Sequence, residues 1–402
     1  MPAPMVSTFS TPSDLSPPSK LLVIPLRFIG DGVLTIPMIA ALRAHLPQAR
    51  IDLFGPATLA NLFEPSPLLD GVYTEPGPKA EAKAALADLL SSQRYDTVIL
   101  ARRSVSQALA LKRAGVPRRI GFDEQRFGWP LGYKRWGWGL TDSIRFPELT
   151  TTVPQAKTYA SLLAPLSVPA DTIERHMHLQ AWTTQQDEAA AQTLLAKFGL
   201  SPDDRLAIIH ATSASKEKSI PLERFVASVQ RLHEAGFCCM ALGTAQDAET
   251  YDRLQQAAMV PIANLCGQST LRQSLAIMRH ATLFLGLDSG PVHLCAAVGV
   301  PHIIALYGPI NEQQWRPYPY NGHFTPVFNT ALDCRPCAPK VCRHNRCRMD
   351  LSSQAILSAV DTHLKQLAPS PGHRGASEPV TGIAQGMGGR EGESVPGSHR
   401  DA

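Results

Sequence analysis

The chain has 402 residues, 44% of them hydrophobic, and its 38 Lys and Arg against 34 Asp and Glu leave a formal net charge of +4. That length and apolar content suffice for two cores of ordinary size, and so small a charge excess gives no electrostatic case for a nucleic-acid partner. No apolar run reaches the roughly eighteen residues of a membrane-spanning helix, and the first basic residue is Lys20, so no charged secretory start is read and a cytoplasmic location is expected. Residues 1–20, rich in Pro and Ser, read as a disordered leader, and the Gly/Ser/Pro-rich residues 368–402 as a disordered tail.

In between, short apolar strands alternate with helical patterns, which predicts α/β architecture in two domains, residues 21–175 and 176–367. Leu21 to Leu26 reads as a strand entering the turn Arg27 to Gly32, after which Val33, Ile36, Ile39, Ala40 and Leu42 recur at helical spacing. Ile51 to Phe54 is a second strand, Ala80 to Leu90 a helix, Thr97 to Leu100 a third strand and Arg119 to Phe122 a fourth. Residues 123–155 lose periodicity and carry Trp129, Tyr133, Trp136 and Trp138 among Gly, Lys134 and Arg135, which predicts loops. Such a surface suits an amphipathic or phosphorylated acceptor, or else a flap packed over the first domain. Pro165 to Ala181 reads as the connection between domains.

The second half opens with a helix over Gln186 to Phe198 and the strand Leu206 to His210, which runs into the loop Ala211 to Pro221. A helix from Leu222 to Glu234, a strand from Phe237 to Leu242, Gly243-Thr244, another helix and the helix Leu271 to Arg279 follow. Then comes the most informative stretch: strand Ala281 to Leu287, the turn Asp288-Ser289-Gly290, a helix through His293 to Val298, strand Pro301 to Tyr307, and Gly308-Pro309. An abrupt strand-to-helix turn exposes backbone N–H groups and the positive end of the helix dipole, and Gly290 admits an anion closely. The pattern therefore suits a sugar diphosphate at the carboxyl edge of a parallel sheet. The plainer reading, that Asp288 and Ser289 cap the helix, fits the same residues.

Gly30, Asp31 and Pro37 of an early Gly-Asp-x-x-x-x-x-Pro pattern, with the late Asp288-Ser289-Gly290-x-x-His293 and Tyr307-Gly308-Pro309, resemble the ADP-heptose heptosyltransferases of glycosyltransferase family nine over residues 20–365. The resemblance implies a GT-B fold, two Rossmann-like domains facing across a central cleft, the first binding the acceptor and the second the nucleotide sugar. It further implies inverting transfer of heptose from ADP-L-glycero-D-manno-heptose to an anionic, lipid-linked lipopolysaccharide inner-core acceptor, without a catalytic metal.

By that resemblance Asp31 matches the general base. An inverting displacement needs one carboxylate to take the acceptor proton, a contribution of about 10² to 10⁴ in rate, although Asp31 could instead cap its helix. Lys218 matches the lysine on the donor phosphate, with Lys216 an alternative, and Thr212 and Ser213 match hydroxyls of the same loop. Asp288 would hold sugar or ribose hydroxyls and His293 donate to phosphate, with Ser289 and Gly290 forming the turn. Asp247, or equally Glu249, falls where the family contacts the adenosine ribose.

Cys334-x-x-Cys337-x4-Cys342-x4-Cys347 sets four thiols within 14 residues, which suits a structural zinc or iron, with paired disulfides or free thiols as the alternative. Cys238, Cys239, Cys266 and Cys295 stand in apolar surroundings as core residues. Arg335, Lys340, Arg343, Arg346 and Arg348 make the same loop the most basic patch, either a solvated face or a contact with acceptor phosphates or the cytoplasmic face of the inner membrane. Two other functions fit the pattern: the same fold acting on a protein or another polysaccharide, and a nucleotide-sugar-binding protein without turnover. A Rossmann dehydrogenase fits less well, because Leu21 to Gly32 lacks Gly-x-Gly-x-x-Gly.

Overall fold

The structure, a computed structural model, describes residues 16–367 except 124, 127–133, 136, 149, 214–217, 338–341 and 343. The predicted disordered leader and tail lie almost wholly outside the described residues. Chain order in the first half is β1 (Lys20–Ile24), α1 (Ile29–His45), β2 (Arg50–Pro56), α2 (Ala57–Phe63), β3 (Gly71–Glu75), α3 (Lys79–Gln93), β4 (Thr97–Leu100), α4 (Val105–Arg113) and β5 (Arg118–Asp123). A short antiparallel pair, β6 (Gln125–Arg126) with β7 (Lys134–Arg135), precedes β8 (Asp142–Arg145). Helices α5 (Gln155–Ala160), α6 (Ala170–Arg175) and α7 (Gln185–Lys197) lead into the second half.

There the order is β9 (Leu206–His210), α8 (Val226–Glu234), β10 (Cys238–Ala241), α9 (Ala248–Ala258), β11 (Ile262–Asn264), α10 (Leu271–Met278), β12 (Ala281–Leu287), α11 (Gly290–Val298) and β13 (His302–Leu306). It closes with α12 (Glu312–Trp315), β14 (His323–Val327), α13 (Arg346–Met349) and α14 (Ser353–Gln366).

Each half builds one six-stranded sheet, ordered β3-β2-β1-β4-β5-β8 and β11-β10-β9-β12-β13-β14, and the neighbouring strands of both run parallel. Both sheets are thus Rossmann-like, and the strand order reverses beside β1 and β9, where such sheets bind ligands. Central strands covered on both faces become continuous apolar runs, as in Leu206–His210, whose five residues are all buried. Four short strands escape that signal: β3, β8, β11 and β14 lie on the sheet edges, and β8 falls in the region 123–155 that reads as loops in sequence.

Residues 161–181, which include the expected connection Pro165 to Ala181, are packed into the core. Leu162, Leu163, Leu166, Val168, Met177, Leu179 and Ala181 are buried in a core continuous with α1, β9 and α11. Both sheets belong to one compact unit. Helix α1 runs at its centre, with residues 31–42 all buried, so it survives Pro37, which removes the donor for the Val33 carbonyl. Among the described residues no helix is long and apolar enough to cross a membrane.

Candidate active site

Asp31 sits in the first turn of α1, just past the carboxyl end of β1, and Asp288 just past the carboxyl end of β12. The two edges meet because α1 and α11 approach very closely at their N-termini. A Cβ on Gly30 would stand 2.8 Å from His293 Cδ2 and 3.6 Å from Gly290 Cα, and a Cβ on Gly290 would stand 3.2 Å from Ile29 Cβ. Glycine at both positions is what this contact requires.

The Lys218 ammonium donates to Asp288 Oδ2 at 2.7 Å and to the Asp288 carbonyl at 3.0 Å, which ties the β9 loop to the β12 turn. Burial of Asp288 raises its pKa, and the adjacent Lys218 charge opposes that rise. His293 is buried, and burial pushes its pKa down to about 3, with Lys218 adding to the effect, so its ring is neutral near pH 7. Its Nδ1 has no hydrogen-bond partner among the described residues. Asp31 is also buried, and burial lifts its pKa to about 6 against the hydrogen bond from Tyr159 and the charge of Lys218, while Asp288 adds to the rise. Asp31, Lys218, Asp288 and His293 therefore surround one spot where both sheet edges converge.

Neither Asp31 nor Ser289 caps its helix through its side chain from the N-cap position. Phe28, not Asp31, is the N-cap residue of α1. Ser289 is the N-cap residue of α11 but makes no side-chain cap bond, because its hydroxyl donates to the Leu287 carbonyl at 3.2 Å. Asp288 is engaged by Lys218 instead. The first-turn N–H groups of α11 thus lack a side-chain cap, as suits an anion there. Gly286, near the end of β12, is a packing residue: a Cβ there would lie 2.7 Å from the His210 backbone oxygen.

Thr212 lies at the carboxyl end of β9, its hydroxyl 3.5 Å from Tyr251 Oη, which also accepts the Ala211 N–H at 3.1 Å; Ser213 follows it. Lys216 lies outside the described residues. Asp247 is not aimed at the Asp31 cluster. Its Oδ2 accepts from the Thr244 N–H at 2.8 Å and the Thr244 hydroxyl at 2.7 Å, a capping box at the start of the helical turn before α9, and Glu249 stands in the first turn of α9.

Sequence reasoning missed Tyr159, whose hydroxyl donates to Asp31 Oδ1 at 2.5 Å. Its helix α5 is too short for a clear period, and only the preceding Pro154 marks its start. It also missed the buried Glu75, which holds Arg102 at 2.9 Å and Arg27 at 2.6 Å at the carboxyl edge of the first sheet. Charged residues directly after strands were the available signal.

The model of glycosyltransferase family 9 (heptosyltransferase) matches residues 83–347. The chain belongs to this family. It is 24% identical over 358 residues to lipopolysaccharide heptosyltransferase 3 of Escherichia coli (strain K12), covering 86% of this chain and 98% of that protein. A solved glycosyl transferase family 9 structure from Veillonella parvula DSM 2008 superposes with TM-score 0.72 at 22% identity, over 87% of this chain and 98% of that one. The structure of E. coli ADP-heptose lps heptosyltransferase II gives TM-score 0.65 at 21% identity, over 86% and 99%. This family 9 glycosyltransferase has the GT-B fold.

The three described arginines of the basic patch, Arg335, Arg346 and Arg348, each have partners within the chain. Arg335, its side chain 6% exposed, donates to the carbonyls of Gly308 at 2.5 Å and Ile310 at 2.9 Å and pairs with Glu312 at 3.2 Å. Arg348 donates to the Ser219 carbonyl at 3.0 Å, next to Lys218, and Arg346 pairs with Asp350 at 2.9 Å. Lys340 and Arg343 lie outside the described residues, as do Trp129, Tyr133 and Trp136 of the expected acceptor surface, whereas Trp138 is exposed.

Cys334, Cys337, Cys342 and Cys347 are free thiols, with Cys334 exposed and Cys347 buried. Among the described residues no three metal-ligating groups are gathered into a ligand set. The thiols are nonetheless neighbours: Cys334 and Cys342 both help to raise the Cys337 pKa behind burial, Cys337 and Cys342 do the same for Cys347, and His344 Nε2 lies 4.0 Å from Cys334 Sγ. Cys239, Cys266 and Cys295 are buried and Cys238 partly so, as expected of core residues.

Proposed function

We propose that this glycosyltransferase moves heptose from ADP-L-glycero-D-manno-heptose to a lipopolysaccharide inner-core acceptor, with Asp31 as the general base. The observation that carries the reading is the meeting of one buried carboxylate from the first half with Lys218, Asp288 and His293 from the second. The names of the E. coli relatives, a lipopolysaccharide heptosyltransferase and an ADP-heptose lps heptosyltransferase, support donor and acceptor class.

In the proposed step the acceptor hydroxyl oxygen attacks the anomeric carbon, its proton passes to Asp31, and the bond from that carbon to the diphosphate breaks on the opposite face, inverting the centre. With a pKa of about 6, Asp31 is roughly nine-tenths ionised at pH 7 and still basic enough to accept a proton. The ADP leaves with the bonding electrons. Lys218 and the uncapped N-terminus of α11 meet the charge it develops, where such groups act most strongly. His293 Nε2 carries the proton toward phosphate if Nδ1 stays the acceptor. Thr212, Ser213 and the Ser289-Gly290 turn line the donor side, and Asp247, through its remaining oxygen, takes a ribose hydroxyl.

The four cysteines would hold zinc or iron as a structural clamp, a donor set whose softness suits either ion. A metal there would brace the segment from Arg335 to Arg348, which already touches the loop of Lys218. The enzyme would work in the cytoplasm, where a lipid-linked acceptor would bring it to the inner-membrane face. The test incubates purified protein with ADP-heptose, UDP-sugars or GDP-sugars and Kdo-bearing core lipid. The reading expects nucleotide release from ADP-heptose only, dependent on acceptor; turnover of a UDP-sugar with ADP-heptose inert would refute it.

A further inference from the structure

Tyr159 is fully buried, and its hydroxyl occupies one oxygen of Asp31, leaving the other for a substrate proton. One turn earlier on α5, the equally buried Gln155 accepts a hydrogen bond on Oε1 from Gln314 Nε2 at 2.9 Å. Gln155 Nε2 has no partner in hydrogen-bond geometry among the described residues, yet it lies close enough to Tyr159 to favour the phenolate. A small rotation of that amide completes a chain of donors running Gln314, Gln155, Tyr159, Asp31. An unpartnered buried amide favours that rotation.

Gln314 belongs to α12, on the far side of the molecule's division into two sheets, and its loop is fastened twice. Arg335 binds the Gly308 and Ile310 carbonyls, and Asn311 Nδ2 donates to the Thr151 carbonyl at 2.7 Å, shortly before α5. The donor half is thereby attached to the helix that carries Tyr159.

We propose that Tyr159 is a positioning residue for Asp31, seated by the buried Gln155–Gln314 pair, so that the half of the chain holding the donor fixes the aim of the base in the other half. The inference rests on the reading of Asp31 as the base. A hydrogen bond donated to the charged carboxylate favours that form, so losing it raises the Asp31 pKa. The other charged and titratable groups facing this pair are Lys218, Asp288 and the neutral His293 around Asp31, and Arg103 near Tyr159. None of them is removed by changing Tyr159 or Gln314.

The experiment measures kcat and donor KM of the full chain from pH 5 to 9 for the parent, Tyr159→Phe, Gln314→Leu and Asp31→Asn, with melting curves as a folding control. Tyr159→Phe should move the acid limb of kcat upward by about one pH unit, lower kcat at pH 6 roughly fivefold, recover toward the parent at pH 9, and leave donor KM within about twofold. Gln314→Leu should shift the limb the same way by less, and it keeps the test alive if Tyr159→Phe does not fold. A loss that is uniform across pH, or an unmoved limb in both variants, overturns the positioning role and leaves only packing. Substantial turnover by Asp31→Asn overturns the base reading itself, and this proposal with it; the two failures are separate readouts.

Discussion

Gly30→Ala tests the close approach on which the site depends. The added methyl would stand 2.8 Å from His293 Cδ2, where ordinary contact begins near 3.4 Å, so His293 or α1 must yield by about half an ångström. His293 is 3% exposed and cannot swing into solvent. Overpacking of this kind costs about 1–3 kcal/mol, and a displacement approaching 1 Å between reacting groups costs on the order of a hundredfold in rate. The expected result is a fall in kcat of roughly ten- to a hundredfold with a modest loss in melting temperature. Gly77→Ala is the control, since nothing lies within 4 Å of a Cβ there, and it should leave kcat unchanged. The assay is acceptor-dependent ADP release at saturating donor. Full activity in Gly30→Ala would mean that α1 and α11 do not work at this separation, and the reasoning would fail.

Lys218→Met removes the cation from Asp288 and from the leaving diphosphate, and kcat/KM should fall by about 10² to 10³; an effect under about threefold would transfer the role to Lys216. Acidification should destabilise the fold, because burial holds His210 and His363 at about 4 and His293 at about 3, below the ordinary value of 6.5. The unfolded chain binds these protons first, so the stability is complete above about pH 6.5 and is lost as pH falls toward 4, with each histidine adding a slope of about 1.4 kcal/mol per pH unit. Thermal melts between pH 7 and 5 check this, and a Tm that holds or rises on acidification contradicts it. Elemental analysis of purified protein should find about one equivalent of zinc or iron, bound by Cys334, Cys337, Cys342 and Cys347; less than roughly a tenth of an equivalent would remove the metal.

The central strands were legible because burial on both faces writes them as unbroken apolar runs, so Leu206 to His210 and Ala281 to Leu287 have the same bounds in sequence and structure. Edge strands carry less of that signature. β8, Asp142–Arg145, has one buried residue of four, and the sheet supplies its pairing. Asp31, Lys218, Asp288 and His293 were singled out in sequence by their match to the family's motifs, and the fold brings these four side chains together. Tyr159 was not singled out, since what makes it part of the site is a partner 128 residues away. One residue of the basic patch shows a related limit of one-dimensional reading: Arg335 folds inward onto carbonyls and Glu312, whereas Arg346 keeps most of its side chain exposed.

The most direct measurement compares the parent with Asp31→Asn for two quantities, acceptor-dependent ADP release and ADP-heptose binding by calorimetry. The isosteric amide keeps the shape of the site and removes the proton acceptor. Turnover lower by about 10² or more with donor affinity within a few-fold of the parent is the expected result. Near-parental turnover in the variant would contradict the assignment of Asp31 as the group that takes the acceptor proton.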